Sequence, residues 1–286
     1  MHGTPKCSDC RCPRPSLEPR CPHCGRPSDF PNVVEAGGAT EREALASRYE
    51  TARNQAKKAR RARVFNRFER IVRTSHAVIN RSIHEAYRLA TDDKELLATF
   101  YQLTNVRFST SEDPWSRVRR TTDAALFGGY EHELRFAALT IDNRGPKNYG
   151  ACGMHLREEM IAHRASLLEC NSCLWMERQF KRWASVTSLP RGYRAVWDDR
   201  ARLAVTKVSA KLESAMSEED FSSLLLSNGE TSGTDEMIEV QIFGPLTIRS
   251  VERVVVETAG VAEQGLLPGL QENLLRVGVE FVERGR

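Results

Sequence analysis

Four cysteines close to the start of the chain have the spacing of metal ligands. They are Cys7, Cys10, Cys21 and Cys24. A tight turn after the first cysteine of each Cys-x-x-Cys pair brings two thiolates to the same tetrahedral ion, and Gly25 relieves the backbone strain of the second turn. We therefore predict a short structural zinc ribbon over residues 1–26, in which four protein ligands leave no open position for a reacting water. Cys12 and His23 are spare donors that could replace one ligand.

A second set of potential ligands lies near the middle of the chain. It comprises Cys152, His155, Cys170 and Cys173, in Cys-x-x-His and Cys-x-x-Cys spacing. Residues three apart in a strand point to opposite faces of the sheet, and Cys152 and His155 fall in a predicted strand. The pattern favours buried thiols at these positions, with a second zinc ion as the alternative.

Positive charge is concentrated in one short stretch of the chain. Residues 51–75 contain nine Lys or Arg residues and one acid, Glu69, whereas the remaining residues comprise 33 basic and 37 acidic ones. Each Lys or Arg that neutralises a phosphate releases a counterion, so residues 53–73 could bind nucleic acid or another acidic macromolecule. The alternative is a helix face that contacts only water.

Three segments of the second half carry a further pattern. They are Tyr149-Gly150, then Arg164-Ala-Ser-Leu-Leu-Glu-Cys-Asn-Ser172, then Ile238-Glu-Val-Gln-Ile-Phe-Gly244. In this order they resemble the ADP-ribosyltransferase-like domains of phage-head-associated proteins and polymorphic toxins, in which the second and third segments read Arg-x-Thr-x-Thr-x-Gly-Asp-Ser and Glu-x-Gln-x-x-Gly. This chain has Cys170-Asn171 in place of Gly-Asp, and Ser166 and Leu168 in place of the two threonines.

The resemblance implies an NAD-dependent transfer of ADP-ribose to a macromolecule whose identity is open. Breaking the glycosidic bond of NAD passes through an oxocarbenium-like state that a fixed carboxylate stabilises, and Glu239 is the candidate. Gln241 lies two residues further along the same strand and would orient the substrate from the same face. An arginine suits the diphosphate because its planar guanidinium keeps its charge, which makes Arg164 the first choice and Arg107 a reserve.

The other cofactor-binding residues implied by the resemblance lie in the first two segments. Ser172 would help to hold the strand that lines the pocket, and Asn171 would donate a hydrogen bond to the nicotinamide ribose. Tyr149 opens a predicted strand and completes the set. If the chain is such an enzyme, we expect Arg164, Ser172 and Glu239 to converge on one cleft.

The same residues also have a purely structural interpretation. The Glu-Val-Gln alternation is typical of a half-buried strand with a polar outer face, and Arg164 could be a surface ion-pair partner. The corresponding alternative function is a non-catalytic zinc-ribbon protein that binds nucleic acid or scaffolds a complex.

The elements that must position these residues follow from the spacing of the apolar side chains. Residues 27–39 are rich in Pro, Gly and small polar residues and predict a linker. Residues 40–92 predict about 50 residues of helix with a break near Thr74. The resemblance implies an ADP-ribosyltransferase-like domain over residues 93–286, and the residue pattern predicts strands in it at 134–141, 149–156, 238–243, 246–256 and 277–282. The predicted fold class is α+β, with a zinc ribbon, a long basic helical region and a C-terminal mixed α/β domain that contains a mostly antiparallel sheet.

The bulk composition limits the class of protein. The chain has 286 residues, of which 40% are hydrophobic and 28% charged, as is typical of globular proteins. Its sequence has no run close to the roughly 18 apolar residues of a spanning helix and no apolar signal-peptide stretch near the start. We expect a cytoplasmic protein without membrane contact, in which cysteines stay reduced and bind metal in preference to forming disulfides.

Overall fold

An eight-stranded sheet forms the centre of the structure. The computed structural model describes residues 6–7, 9–13, 17–26, 28–102, 114–142, 144–183, 189–257 and 260–284. Its strands are β1 (His76–Arg81), β2 (Leu134–Thr140), β3 (Cys152–Leu156), β4 (Ala165–Leu168), β5 (Arg194–Val196), β6 (Leu226–Ser227), β7 (Glu236–Met237), β8 (Glu239–Phe243), β9 (Val251–Val256) and β10 (Glu280–Glu283). Its α-helices are α1 (Pro31–Ala36), α2 (Ala39–Lys58), α3 (Ala62–Val72), α4 (Ile83–Thr91), α5 (Pro114–Leu126), α6 (Glu158–Ile161), α7 (Ser172–Trp183), α8 (Arg200–Val208), α9 (Glu218–Leu225), α10 (Val261–Gln264) and α11 (Leu267–Arg276).

The strand order places β1 and β2 at the centre of the sheet. The order is β10-β9-β3-β1-β2-β8-β4-β5, and β6 pairs with β7 in a separate small sheet. Among the pairings in the described ranges, β9 with β10 is parallel and the others are antiparallel. The prediction of a mixed fold with a mostly antiparallel sheet is confirmed.

Strand β8 is buried on both faces, and this places the candidate site inside the molecule. Val240 and Ile242 join the main apolar core, which also receives side chains from α2, α3 and α8. Because side chains alternate along a strand, Glu239 and Gln241 point to the opposite face. Their exposed fractions are 0% and 1%. The interpretation of this strand as half-buried with a polar outer face is therefore wrong.

The stretch predicted as one long helical region also contains a strand. Helix α2 ends at Lys58 and α3 at Val72, and β1 then enters the centre of the sheet before α4 begins. Ile79 and Ile83 are spaced as on one helix face, but they reach the same core from β1 and from α4. The adjacent β-branched residues Val78 and Ile79 are both buried, which is the environment that favours a central strand.

The predicted linker includes α1 and packs against the sheet. Phe30 contacts the rings of His163 and Phe243, with 5.7 Å between ring centroids in both cases. Leu17, from the loop between the two cysteine pairs, packs against Gly244. Its carbonyl oxygen accepts a hydrogen bond from His163 Nε2 at 3.0 Å. The N-terminal segment is therefore attached to the end of β8.

Gly150, in the first resembled segment, has a conformation and a position that only glycine fits. Its φ is +137°, and a Cβ atom would overlap the backbone of Arg81 and Ser82. We expect Gly150→Ala to lower the free energy of unfolding by about 2–4 kcal/mol, because the backbone must shift to accept the methyl group. Urea denaturation measures the change.

Gly265 provides the control for this substitution. Its φ is −63°, and a Cβ atom there would meet open space. Gly265→Ala should change the free energy of unfolding by less than about 0.5 kcal/mol or raise it slightly. Equal effects of the two substitutions would contradict the packing described for Gly150.

Candidate functional site

The Glu239 carboxylate is bound by side chains from two other elements and from its own strand. Ser172 Oγ, at the start of α7, donates a hydrogen bond to Glu239 Oε2 at 2.9 Å. Gln241 Nε2 donates to Glu239 Oε1 at 3.0 Å. Arg119 Nη1, on α5, lies 3.4 Å from Oε2. Each carboxylate oxygen therefore has a donor although it has no contact with solvent. We call these four residues, together with Asp123, the Glu239 cluster.

Arg119 is held in place by contacts on three sides. Its Nε donates to Asp123 Oδ2 at 3.0 Å, one helical turn further along α5. Tyr101 donates from its hydroxyl group to the same oxygen at 3.2 Å. The guanidinium lies 3.6 Å from the ring centroid of Phe136, a stacked cation–π arrangement. Arg119 is 5% exposed and Asp123 is 0% exposed, so both charges are buried.

The charged groups of the cluster alter one another's protonation. Burial raises the pKa of Asp123 to about 6, because the partial compensation by Arg119 is opposed by the Glu239 carboxylate. Burial alone would lower the pKa of Arg119, but Asp123, Cys173 and Glu239 together raise it well above its usual range. Arg119 therefore stays positively charged while it holds Glu239.

Sequence reasoning missed Arg119 and Asp123. Their i, i+4 spacing on a helix is a signal for an ion pair. The signal does not single them out, because Arg117 and Arg120 lie within two residues of Arg119 and the burial of α5 depends on tertiary contacts. Only the fold shows that Arg119 is the arginine that faces Glu239.

Asn171 organises the helix end next to Glu239. Its Oδ1 accepts hydrogen bonds from the backbone N–H groups of Cys173 at 3.1 Å and Leu174 at 3.4 Å, so it caps the start of α7. Its Nδ2 donates to the carbonyl oxygens of Asp235 at 3.0 Å and Ser232 at 3.2 Å. Because Asn and Asp are both good caps, the Asn found here preserves the cap without adding a third negative charge beside Glu239.

Tyr149 and Asn148 donate hydrogen bonds to the loop formed by residues 228–235. The Tyr149 hydroxyl group donates to the Ser232 carbonyl oxygen at 3.1 Å. Asn148 Nδ2 donates to Asp235 Oδ1 at 2.7 Å. Burial, followed by the nearby Glu239 carboxylate, raises the pKa of Tyr149, so this hydroxyl group remains a donor. The loop thus connects Tyr149 with Asn171 through one carbonyl group.

Of the three residues expected to converge, the structure brings Ser172 to Glu239 but not Arg164. Arg164 is 2% exposed, so it is not a surface ion-pair partner. Its guanidinium donates to the carbonyl oxygens of Met160 at 2.9 Å and Pro245 at 3.1 Å, and also to that of Phe243. In the pairing of β4 with β8 it adjoins the far end of β8. Its contact with a diphosphate stays a prediction, and its reserve, Arg107, lies outside the described residues.

The four N-terminal cysteines come together as predicted. Their Sγ atoms all lie within 4.8 Å of one another, and the pairs Cys7 with Cys24 and Cys10 with Cys21 are 3.6 Å apart. Tetrahedral zinc with Zn–S bonds of about 2.3 Å requires S–S distances of about 3.8 Å. The cluster could therefore hold a metal ion such as zinc, in an arrangement compatible with a zinc ribbon.

The two turns of this cluster are built alike. Gly25 has φ of +72° and its N–H donates to the Cys21 carbonyl oxygen at 2.9 Å. Arg11 has φ of +58° and its N–H donates to the Cys7 carbonyl oxygen, also at 2.9 Å. Hydrogen bonds from the backbone N–H groups of Cys10 and Asp9 lower the pKa of Cys7, whereas burial and the neighbouring thiols raise that of Cys10.

The second set of potential ligands is not assembled. In the ranges that the structure describes, the N-terminal cysteines are the one group of three or more His, Cys, Asp or Glu residues close enough to share an ion. Cys152 belongs to the main core, whereas Cys170 belongs to a separate apolar cluster. Burial raises the pKa of Cys152 to about 12 and that of Cys173 to about 11, as expected for buried thiols.

Comparisons with known proteins assign no family to the chain. No model of a protein family matches it, and no curated protein does. The resemblance to ADP-ribosyltransferase-like domains therefore rests on the three sequence segments alone. As to membranes, none of the helices within the described ranges is both long enough and apolar enough to span one.

Metal content tests the cysteine cluster. We expect the purified protein to contain one zinc ion per chain, and Cys7→Ser or Cys21→Ser to reduce zinc to less than a tenth, because a three-sulfur site loses a strong ligand. Elemental analysis by mass spectrometry gives the stoichiometry.

The spare donors serve as controls for the metal site. Neither Cys12 nor His23 belongs to the four-sulfur group in the described part of the chain. Cys12→Ser and His23→Ala should therefore retain one zinc ion per chain. Loss of zinc from either control, or retention in both ligand variants, would show that the ligand set is different.

Proposed function

We propose that the chain is an NAD-dependent ADP-ribosyltransferase-like protein that modifies a macromolecule, with Glu239 as the catalytic carboxylate. One observation carries the proposal: Glu239 is a fully buried carboxylate that Ser172 and Gln241 hold by hydrogen bonds of 2.9 and 3.0 Å. A carboxylate that is fixed and removed from water stabilises a nearby positive charge more strongly than one in solvent. The resemblance of the three segments supplies the reaction.

In the proposed reaction the bond between ribose C1′ and the nicotinamide nitrogen of NAD breaks. The electron pair of this bond leaves with nicotinamide, and the ribose becomes an oxocarbenium-like cation that Glu239 stabilises. A nucleophilic group of the macromolecule attacks C1′ and releases its proton to water. The products are the ADP-ribosylated macromolecule, nicotinamide and a proton, so NAD is a substrate.

The charge of the Glu239 cluster suits a cation better than an anion. Glu239 and Asp123 carry two negative charges when both are ionised, and Arg119 carries one positive charge. Electrostatic interactions are stronger in a buried, low-dielectric site than in water. The nicotinamide ring of NAD is positively charged and the ribose becomes so during the reaction, whereas the diphosphate is negative. The diphosphate would therefore bind away from this cluster. Arg164 remains its proposed contact, which requires the guanidinium to leave at least one of the three carbonyl groups that it now contacts.

Because Glu239 is buried, the proposed reaction requires a change of conformation. Since the carboxylate has no exposed surface in this conformation, NAD can reach it only after neighbouring residues move. The loop formed by residues 228–235 is a candidate, because it lies outside the strands of the eight-stranded sheet and hydrogen bonds such as those from Tyr149 and Asn171 to the Ser232 carbonyl oxygen hold it. Movement of the loop would require release of these hydrogen bonds and of those that join Asn148 to Gly229 and Asp235, Asn171 to Asp235, and Lys147 to Asn228. It would not require a break in the eight-stranded sheet.

The substitution Glu239→Gln tests the proposed reaction. Purified protein incubated with NAD should release nicotinamide, and the variant should release it at least about 100-fold more slowly, because the amide cannot stabilise the ribose cation. Chromatography of nicotinamide measures the rate, and circular dichroism checks that the variant folds.

A matched substitution on an exposed strand position provides the control. Glu252 is exposed on β9, so Glu252→Gln should release nicotinamide at the wild-type rate. Equal rates in Glu239→Gln and wild type would exclude the proposed role of Glu239. A wild-type protein that consumes no NAD, alone or with cell extract as a source of acceptors, would exclude the reaction.

A second function, the binding of nucleic acid, is favoured by the surface around the turn from α2 to α3. Five exposed basic side chains in this region have no ion-pair partner among the described residues, and we call them the α3 basic surface. They are Lys57, Lys58, Arg60, Arg63 and Arg70. Arg63 and Arg70 are two turns apart on one face of α3, a separation of about 10 Å. Such a row of cations can contact successive phosphates.

Other arginines of the basic stretch have structural roles. Arg61 Nη1 donates to the Leu212 carbonyl oxygen at 2.7 Å, and Arg67 donates to that of Met216. Arg73 pairs with Glu69 at 2.9 Å. The contacts of Arg61 and Arg67 attach the turn before α3 and α3 itself to residues 212–216, and the α3 basic surface stays exposed to solvent. The stretch is therefore partly structural and partly available for a partner.

The composition of this surface favours nucleic acid over an acidic protein. Protein interfaces usually have an apolar centre, but the exposed large apolar side chains in the described ranges lie elsewhere, at Val34, Leu96, Met160 and Leu275. Single-strand binding commonly uses exposed aromatic rings for stacking, and residues 57–70 offer none in exposed positions. We therefore propose contact with the phosphates of duplex nucleic acid, without readout of sequence.

Binding to a fluorescent 20-base-pair DNA duplex tests the α3 basic surface. The double variant Arg63→Ala/Arg70→Ala should weaken binding and reduce the slope of log K against log salt concentration by about 2, because two phosphate contacts are lost. Fluorescence anisotropy at several salt concentrations gives the slope. The double variant Lys94→Ala/Arg144→Ala removes the same charge elsewhere and should keep the wild-type slope. Equal slopes in all three proteins would rule out this surface.

A further inference from the structure

Asn32 is a buried polar residue on α1 that none of the sequence motifs includes. It is 2% exposed. Its Nδ2 lies 2.9 Å from the Gln241 carbonyl oxygen, 3.1 Å from the Arg164 carbonyl oxygen and 3.2 Å from Ser166 Oγ. The side chain therefore spans β4 and β8 on the face that carries the Glu239 cluster.

The orientation of the Asn32 amide group follows from its partners. Two of the three oxygens are backbone carbonyl groups, which can only accept hydrogen bonds. The NH₂ group must therefore face them, since the amide oxygen would be repelled there. The NH₂ group has two hydrogens for three acceptors, so one hydrogen is shared between Ser166 Oγ and a carbonyl oxygen. Ser166 Oγ accepts this shared hydrogen bond, and its own proton is then free for another acceptor.

A directional chain of hydrogen bonds leads from Asn32 to Glu239. Ser166 Oγ donates to Gln241 Oε1 at 3.1 Å, and Gln241 Nε2 donates to Glu239 Oε1 at 3.0 Å. Because Ser166 occupies the oxygen of the Gln241 amide group, the NH₂ end of Gln241 must face Glu239. If Ser166 turned its proton elsewhere, the Gln241 amide could rotate and direct its oxygen at the carboxylate, where the two groups would repel.

We propose that Asn32 is a positioning residue for Glu239, which acts through Ser166 and Gln241. The inference rests on the proposed function, in which the Glu239 carboxylate stabilises the ribose cation. Asn32 contacts no substrate in this scheme. It sets the direction of the hydrogen bonds that reach Glu239 Oε1, whereas Ser172 and Arg119 act on Oε2 from the other side.

The kinetic test separates positioning from simple stabilisation. Asn32→Ala should lower kcat for nicotinamide release at least tenfold and leave KM for NAD within twofold, because the loss falls on the transition state. Asn32→Ser keeps one hydrogen-bond donor and should lower kcat by an intermediate factor. It takes the place of Asn32→Ala in the test if Asn32→Ala does not fold. The control Phe30→Leu loosens the packing of the same segment but leaves the chain of hydrogen bonds, so its kcat should stay within twofold of wild type.

A double-mutant cycle tests the route. Ser166→Ala interrupts the chain one step later and should lower kcat to a similar extent. In that background Asn32→Ala should lower kcat by less than a further twofold, because both changes remove the same contact. Full additivity, a rise in KM without a fall in kcat, or an equal loss in Phe30→Leu would overturn the proposal.

A second readout does not depend on activity. In NMR spectra the side-chain NH₂ group of Gln241 should exchange its hydrogens at least tenfold faster in Asn32→Ala than in wild type, because its orientation is no longer fixed. If wild type does not consume NAD, the proposed function fails, and this exchange rate alone decides whether Asn32 orients Gln241. An unchanged exchange rate would overturn that role as well.

Discussion

A carboxylate that is buried without water must be surrounded by hydrogen-bond donors or positive charge, since otherwise its desolvation would destabilise the fold. Glu239 satisfies this constraint with Ser172 from α7, Arg119 from α5 and Gln241 from its own strand. These residues are far apart in sequence, so the constraint links the two helices to β8. The capped start of α7 also directs an N–H group at the carboxylate, with Ser172 N at 3.4 Å from Oε2.

The parts of the fold that depend on local pattern were predictable. Short apolar segments bounded by Gly or Asn marked β2, β3, β8, β9 and β10, and the spacing of the cysteines indicated the metal cluster. Strand β1 was not predictable in this way, because its apolar residues continue the helical spacing of α3 and because strand pairing depends on partners that are distant in sequence. Helix α1 was missed for a related reason, since its six residues are stabilised by packing against β4 and β5 rather than by intrinsic helix propensity.

The candidate site was also predictable only where it depends on local sequence pattern. Alternation along a strand places Glu239 and Gln241 on one face, and the structure agrees with this. The arginine that faces them could not be chosen from sequence, because any of several arginines has the right chemistry and only the fold decides which is near. The guanidinium of Arg164 is occupied by the carbonyl groups of Phe243 and Pro245, where the chain leaves β8, and by that of Met160 on α6. Some residues of the resembled segments therefore maintain the backbone around the site, as Gly150 also does.

The attachment of Leu17 to His163 and Gly244 restricts how the cysteine cluster can meet anything outside the chain. The loop between the two cysteine pairs contacts the end of β8 through Leu17. Cys24, in the second pair, is exposed. A macromolecule that approached the exposed side would meet a surface that Leu17 attaches to the end of β8. The position of that surface relative to β8 is then set by the contacts of Leu17 with His163 and Gly244.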